Sequence, residues 1–261
     1  WKIKKFYEAY PGRKELIEYA QAHELPVKAT LEEPWSCDEN LMHISFESGM
    51  LEDPWLKPPV DMFELSASPE DAPDSVTQLM LEFEDGIPIS INGEKGSPLQ
   101  LIQKLNRIGG KNGIGRIDIV ESRYVGMKSR GVYETPGGTI LMSAHRAIES
   151  ITLTEDVIDL KESLMPRFAK QIYNGYWFSP QMELLLNLVQ QSQKGVTGTV
   201  RLELYKGNIT ITGRKSPNSL YDADIASMEK DQGNFRVEDS DGFIKIHALP
   251  LRLYKKARQD S

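Results

Sequence analysis

The sequence predicts an α+β fold, a mixed or antiparallel sheet with packed helices, because its hairpins come before its helices and do not alternate with them one for one. In QLMLEFEDGIPISIN (78–92), Leu79, Leu81 and Phe83 alternate with polar residues, Asp85-Gly86 supplies a turn, and Ile87, Ile89 and Ile91 alternate back. Ser97-Pro98 then opens a helix as N-cap and first residue. Leu101, Ile102, Leu105 and Ile108 form its apolar stripe, and Gly109-Gly110 is expected to close it. A second hairpin follows much later in TVRLELYKGNITITG (199–213).

The other elements are read around this frame. RKELIEYAQAHE (13–24) puts Leu16, Ile17, Tyr19 and Ala20 near one helical face, and Pro26 stops it before a short strand, VKAT, so the chain opens on one αβ unit. Residues 31–77 carry many prolines and little sustained period, and are expected to be a long irregular excursion. RIDIV (116–120) is a strand that leads into RYVGMKSRGVYETPGGT (123–139), which shows no period and reads as a loop. A helix from about Thr154 to Asn174 carries Val157, Leu160, Leu164, Phe168 and Ile172 and is broken or bent near Pro166, and another runs from Ser179-Pro180 to Gly195. The remainder, through GFIKI to the basic tail, reads as a short helix and a small strand or two. There is no repeat of fixed period.

Composition narrows the function. At 261 residues the chain can bury a substantial core. A formal net charge of −7 argues against nucleic acid or an anionic membrane as partner. The single cysteine, Cys37, excludes an intrachain disulfide and fits a reducing, cytoplasmic setting. No apolar run approaches the roughly 18 residues of a membrane span, and the first residues do not resemble a signal peptide.

Familiar catalytic motifs are lacking. GGKNGIG (109–115) has neither the spacing nor the hydroxyl of a phosphate-binding loop, and GIGRID lacks the third glycine of a dinucleotide fingerprint. His23, His43, His145 and His247 have no metal-ligand spacing, although His43 and Glu47 would share a face if they were helical, and no metal site or catalytic residue is expected. What remains is a polar set: WSCDEN (35–40), HISFE (43–47), VESRYVG (120–126) and KSRGVYETPGG (128–138). Glu121 follows a strand directly and can bind an ammonium, while the hydroxyls of Ser36, Ser45 and Tyr133 can orient a polar uncharged group. The same residues have plainer readings: Ser36 as a helix cap, Ser45 on a strand surface, Glu121 at a solvated strand end.

The runs PWSCDENLMHISFESG, GIGRIDIVESRYVGMKSRGVYETPGGTI, IYNGYWFSP, GRKSPNSLY and DGFIKI resemble, in order, the carboxyl-terminal part of the argininosuccinate synthetase family. That resemblance implies a reaction in which the ureido oxygen of citrulline attacks the α-phosphate of ATP, pyrophosphate leaves, and the amine of aspartate displaces AMP. It places the citrulline contacts on Ser36, Ser45, Glu121 and Tyr133, with Tyr133 carried into the pocket by the 123–139 stretch, whose glycines let backbone approach ligand. Lys128, Ser129 and Arg130 stay open between ligand contact and solvated or ion-paired roles. The resemblance further implies a homotetramer and a magnesium ion accompanying ATP. Both ATP and magnesium are held mainly by an amino-terminal nucleotide-binding domain with an SGGxDTS-type loop, which is not read in this sequence. Residues 1–28 resemble the tail of that domain and 29–261 the synthetase and multimerisation domain. On this basis the chain alone is expected to be inactive, and a non-catalytic oligomerisation or amino-acid-binding module of the same descent is the alternative.

Overall fold

The computed structural model describes residues 3–27, 35–226 and 237–259. In chain order these form α1 (Lys4–Ala9), α2 (Arg13–Ala22), β1 (Ser36–Glu39), β2 (Ile44–Glu47), β3 (Thr77–Glu84), β4 (Ile87–Ile91), β5 (Glu94–Lys95) and α3 (Pro98–Lys111). Then come β6 (Arg116–Ser122), β7 (Lys128–Glu134), α4 (Pro136–Thr152), α5 (Glu155–Tyr173), α6 (Pro180–Ser192), β8 (Gly198–Tyr205), β9 (Asn208–Lys215), α7 (Ala223–Ala226), α8 (Val237–His247) and α9 (Leu249–Gln259). The fold is α+β, with two antiparallel sheets in the orders β1-β2-β7-β6 and β5-β4-β3-β8-β9. The chain divides into two compact units, Trp1–Asn218 and Ser219–Ser261. Most of the VKAT segment lies outside the described residues.

The five-stranded sheet carries the larger core. Leu79, Leu81 and Phe83 of β3 and Val200, Leu202 and Leu204 of β8 point to one face, where they meet Leu101 and Leu105 of α3 and Ile140, Ala144 and Ile148 of α4. Ser97 caps α3 as the sequence predicts, and Gln100 completes a capping box by accepting from the Ser97 backbone N–H at 2.9 Å. Gly109 and Gly110 do not close that helix, which runs on to Lys111. A Cβ at Gly110 would stand 2.0 Å from the carbonyl oxygen of Leu65, so this glycine admits a crossing chain.

The four-stranded sheet departs most from the sequence reading. Residues 36–47, expected within an irregular excursion, form the β1–β2 hairpin, so neither the helix cap suggested for Ser36 nor a helical face shared by His43 and Glu47 exists. The stretch 123–139 is a turn closed by Arg123 N–H to the Met127 carbonyl, then β7, then the first turn of α4. Its strand period is hidden because the inner face of β7 is largely polar. Arg130 and Glu134 lie there beside Val132, each satisfied by specific partners, where a period of two would be recognised from apolar residues. The helix α5 is not broken at Pro166, which lies inside it. GFIKI lies in α8, where Phe243 stacks on His247 one turn away, and not in a strand.

That inner face holds the 48–72 segment in place. Leu51 and Met62 pack with Ile44, Phe46 and Val132 into a second small core. Arg130, only 6% exposed, pairs with Asp118 at 2.6 Å and donates to the carbonyls of Asp53 and Leu56. Glu134, fully buried, accepts from the backbone N–H groups of Glu64, Leu65 and Ser66 at 2.7–3.1 Å and from the Ser66 hydroxyl at 2.6 Å. Arg116 donates to the same Ser66 hydroxyl and stacks 3.8 Å over Phe63. A carboxylate that collects three successive N–H groups is a strong anchor, since each would otherwise be buried unpaired. Replacing Glu134 by Gln turns an NH2 group toward those donors. Urea unfolding should show a loss of about 3 kcal/mol, with new proteolytic cleavage inside 57–68, and a loss below about 1 kcal/mol would show the anchor to be dispensable.

A second buried carboxylate ties the helices together. Glu149 of α4 accepts from Lys161 of α5 and from Gln193, just past α6, at 2.8 Å, and lies 3.6 Å from His145. Burial alone would raise its pKa, but the hydrogen bonds from His145, Lys161 and Gln193 and the charge of His145 win and hold it at about 2, below the ordinary 4.5. With the folded value depressed, its stabilisation is complete above pH 4.5 and is lost as pH falls toward 2. Unfolding free energy should therefore drop by about 2 kcal/mol between pH 4.5 and 3 in the native chain, and much less in Glu149→Gln, measured by urea titration at each pH.

Candidate functional site

Ser36, Ser45, Tyr133 and Glu121 sit on four successive strands of the four-stranded sheet, β1, β2, β7 and β6. Register decides whether they share a face. Ser45 lies opposite Tyr133, Ser36 opposite Glu47, Glu47 opposite Gly131, and Glu121 opposite Ser129. Residues directly opposite or two apart along a strand point the same way, so all four, with Glu47, Ser129 and Gly131 between them, lie on the face turned away from the Phe46–Val132 core.

The local sequence explains that orientation. In HISFE, Ile44 and Phe46 are buried at 1% and 0%, which forces Ser45 and Glu47 to the other side. On β7, Val132 fixes the inner face, so Gly131 and Tyr133 face outward. The same alternation divides the three residues left open above between the two faces. Arg130 and Lys128 fall on the opposite face from Glu121, Arg130 pinned to Asp118 and Lys128 donating to Ser122 at 2.9 Å. Ser129 is on the Glu121 side.

The outward face is tied by one central hydrogen bond: the Tyr133 hydroxyl donates to Glu121 Oε1 at 2.9 Å. Partial burial pushes the phenol up, and the Glu121 carboxylate, with Glu47 beyond it, pushes it further, to about 12. Tyr133 is therefore a neutral phenol throughout the physiological range. Its single O–H is committed to Glu121, so toward any ligand its oxygen can only accept. Ser45 donates to the Asp38 carbonyl at 3.4 Å, and the His43 ring lies 5.9 Å from that of Tyr133. Beside Glu121 a cleft of about 740 Å³ opens between the β6–β7 turn and the end of α5, lined by Arg123, Tyr124, Lys170 and Tyr173 among others. Arg123 reaches back to Glu47 at 3.2 Å.

Reading single residues from the sequence did not place Glu47, Arg123 or Gly131 beside these four, and left Ser129 open. The alternation of Ile44 and Phe46 with His43, Ser45 and Glu47 carried the signal for Glu47, because residues four apart share a face on a strand as well as on a helix. Arg123 and Ser129 are separated from it by strand pairing alone, which a single sequence does not display.

The glycine-rich 109–115 stretch does not form a phosphate cradle. A Cβ at Gly115 would meet the Thr135 carbonyl at 2.6 Å, and Gly113 faces the Ala67 carbonyl at 3.2 Å, so these close approaches are taken by the chain's own backbone. Among the described residues no group of three His, Cys, Asp or Glu is placed to hold a metal ion. Nor, among them, is any helix long and apolar enough to cross a membrane.

Comparison with known proteins agrees with the order of the motifs. The family profile for the arginosuccinate synthase C-terminal domain matches residues 35–254. The chain is 53% identical over 243 residues to an argininosuccinate synthase of Syntrophotalea carbinolica, covering 93% of this chain and 60% of that protein. It is 54% identical over 249 residues to one of Rhodospirillum rubrum (95% and 61%) and 54% over 244 to one of Magnetococcus marinus (93% and 60%). It spans about three-fifths of the length of these relatives. With a matching profile over most of its length and relatives more than half identical to it, the chain belongs to the argininosuccinate synthase family.

Proposed function

We propose that this chain supplies the citrulline-holding part of an argininosuccinate synthase, an ATP-dependent carbon–nitrogen ligase that joins citrulline to aspartate in arginine biosynthesis. The observation that carries the reading is the Tyr133–Glu121 hydrogen bond on a face that also bears Ser36 and Ser45. Citrulline offers an ammonium and a neutral ureido group rich in N–H donors. Glu121 keeps one carboxylate oxygen beyond its bond to Tyr133, which suits the ammonium. The phenol oxygen, able only to accept, suits an N–H of the ligand. Hydroxyls from Ser36 and Ser45 can turn as donors or acceptors toward the remaining polar atoms.

In this reading the chain's residues bind and orient, and they do not move protons. A phenol held near 12 is no base at neutral pH. Fixing citrulline so that its ureido oxygen points at the nucleotide is what the sheet contributes, since adenylation depends chiefly on alignment and on charge stabilisation supplied around the phosphate. ATP, its magnesium ion and aspartate meet residues outside those described, and no step through them is assigned to this chain. A homotetramer and a cytoplasmic setting belong to the same reading.

Glu121→Gln keeps the shape of the side chain and removes its charge. A lost charged hydrogen bond costs about 1.5–3 kcal/mol, so citrulline affinity should fall roughly ten- to hundredfold. Calorimetric titration of citrulline into the chain, alone and joined to the two-fifths of the Magnetococcus marinus relative that it does not cover, makes the measurement. Unchanged affinity in Glu121→Gln would remove the carboxylate from the site.

A further inference from the structure

The space under Tyr133 belongs to residue 131. Gly131 precedes Tyr133 by two on β7, faces the same way, and lies between Glu47 of β2 and Ile119 of β6. A Cβ built on Gly131 would stand 2.6 Å from the Tyr133 hydroxyl oxygen and 2.7 and 2.8 Å from two of its ring carbons. The ring therefore does not rise from the sheet but lies back along its own strand, over residue 131, as strand side chains can lean. Only from there does its hydroxyl come within 2.9 Å of Glu121, which is paired two residues further along, at Ser129. Gly131 is not among the positive-φ glycines of the chain, so its backbone is open to any residue and the constraint is one of space. On the β2 side Glu47, opposite Gly131 in register, pairs with Arg123 at 3.2 Å.

We propose that Gly131 is a positioning residue for Tyr133: its absent side chain is the channel through which the phenol reaches Glu121, and any larger residue there uncouples the pair. Glycine at this position thus sets whether Glu121 meets its ligand with a neutral acceptor beside it. The ligand-dependent part of this rests on the citrulline reading; the geometric part does not.

Two measurements test it separately. In the native chain labelled at glycine, the Gly131 Hα protons should be shifted upfield by the ring above them and show cross-relaxation to the Tyr133 ring protons, and Tyr133→Leu should return them to ordinary values. Unshifted Hα protons without cross-relaxation would overturn the proposal whatever the ligand, and this arm does not depend on a Gly131 variant folding. The second arm titrates citrulline into Gly131→Ala, Tyr133→Phe and the double variant. Gly131→Ala should weaken binding at least as much as Tyr133→Phe, roughly five- to tenfold, and adding Tyr133→Phe to it should change affinity by less than about twofold. If Tyr133→Phe still costs its full factor in the Gly131→Ala background, the hydroxyl never depended on Gly131 and the proposal fails. Absence of citrulline binding in every variant, with the ring-shifted protons in place, would sink the citrulline reading and leave the positioning role of Gly131 standing.

Discussion

The alternation of β7 is the constraint on which the site depends. One strand faces two ways: Arg130, Val132 and Glu134 inward, Ser129, Gly131 and Tyr133 outward. Inward, Arg130 and Glu134 bind the backbone of the 53–66 segment at both ends, and Val132 closes the apolar core between them. Outward, Tyr133 crosses Gly131 to reach Glu121. A slip of one residue in the β6–β7 register would exchange the two faces, turning Tyr133 into the core and Glu134 toward solvent. The many hydrogen bonds to Glu134 therefore do more than stabilise a loop. They make the alternative register unaffordable, because a buried carboxylate without its N–H donors costs several kcal/mol.

In the proposed reading, the outward face is an acceptor-rich surface already ordered before citrulline arrives. Glu121 is fixed by an internal donor, and that donor, once engaged, presents only lone pairs. A preorganised arrangement of this kind selects for ligands that bring N–H groups, and it loses little on binding because its side chains are already ordered. The neighbouring cleft along the end of α5 gives such a ligand room next to Glu121.

Much of the fold was legible in the sequence, and the parts that were not have a common cause. The β3–β4 and β8–β9 hairpins and the start of α3 were readable because one face of each is apolar and the turns are marked by Asp85-Gly86 and Lys206-Gly207. β7 was not, because its inner face carries an ion-paired Arg130 and a hydrogen-bonded Glu134 beside a single Val132, and the β1–β2 hairpin was not, because only Ile44 and Phe46 carry its apolar period between proline-rich flanks. α4 was missed for a different reason. Its stripe of Ile140, Ala144, Ala147 and Ile148 is regular, but Gly137 and Gly138 at its start read as loop, whereas Gly137 lets the helix close on Asn106 of α3. The four site residues came from resemblance of long motifs, and no single spacing would have united Ser36 with Glu121. The sheet register is what brings them to one face.

The central claim is that this face receives an ammonium and an N–H donor at the Glu121–Tyr133 pair. The most direct measurement is a crystal structure of the chain, or of its fusion to the uncovered part of a relative, soaked with citrulline. The account predicts the ligand ammonium about 2.7–3.0 Å from the Glu121 carboxylate, with the Tyr133–Glu121 hydrogen bond intact and the ligand lying over Ser45. An ammonium bound away from Glu121, or a ligand that breaks the Tyr133 bond to occupy Gly131, would contradict it.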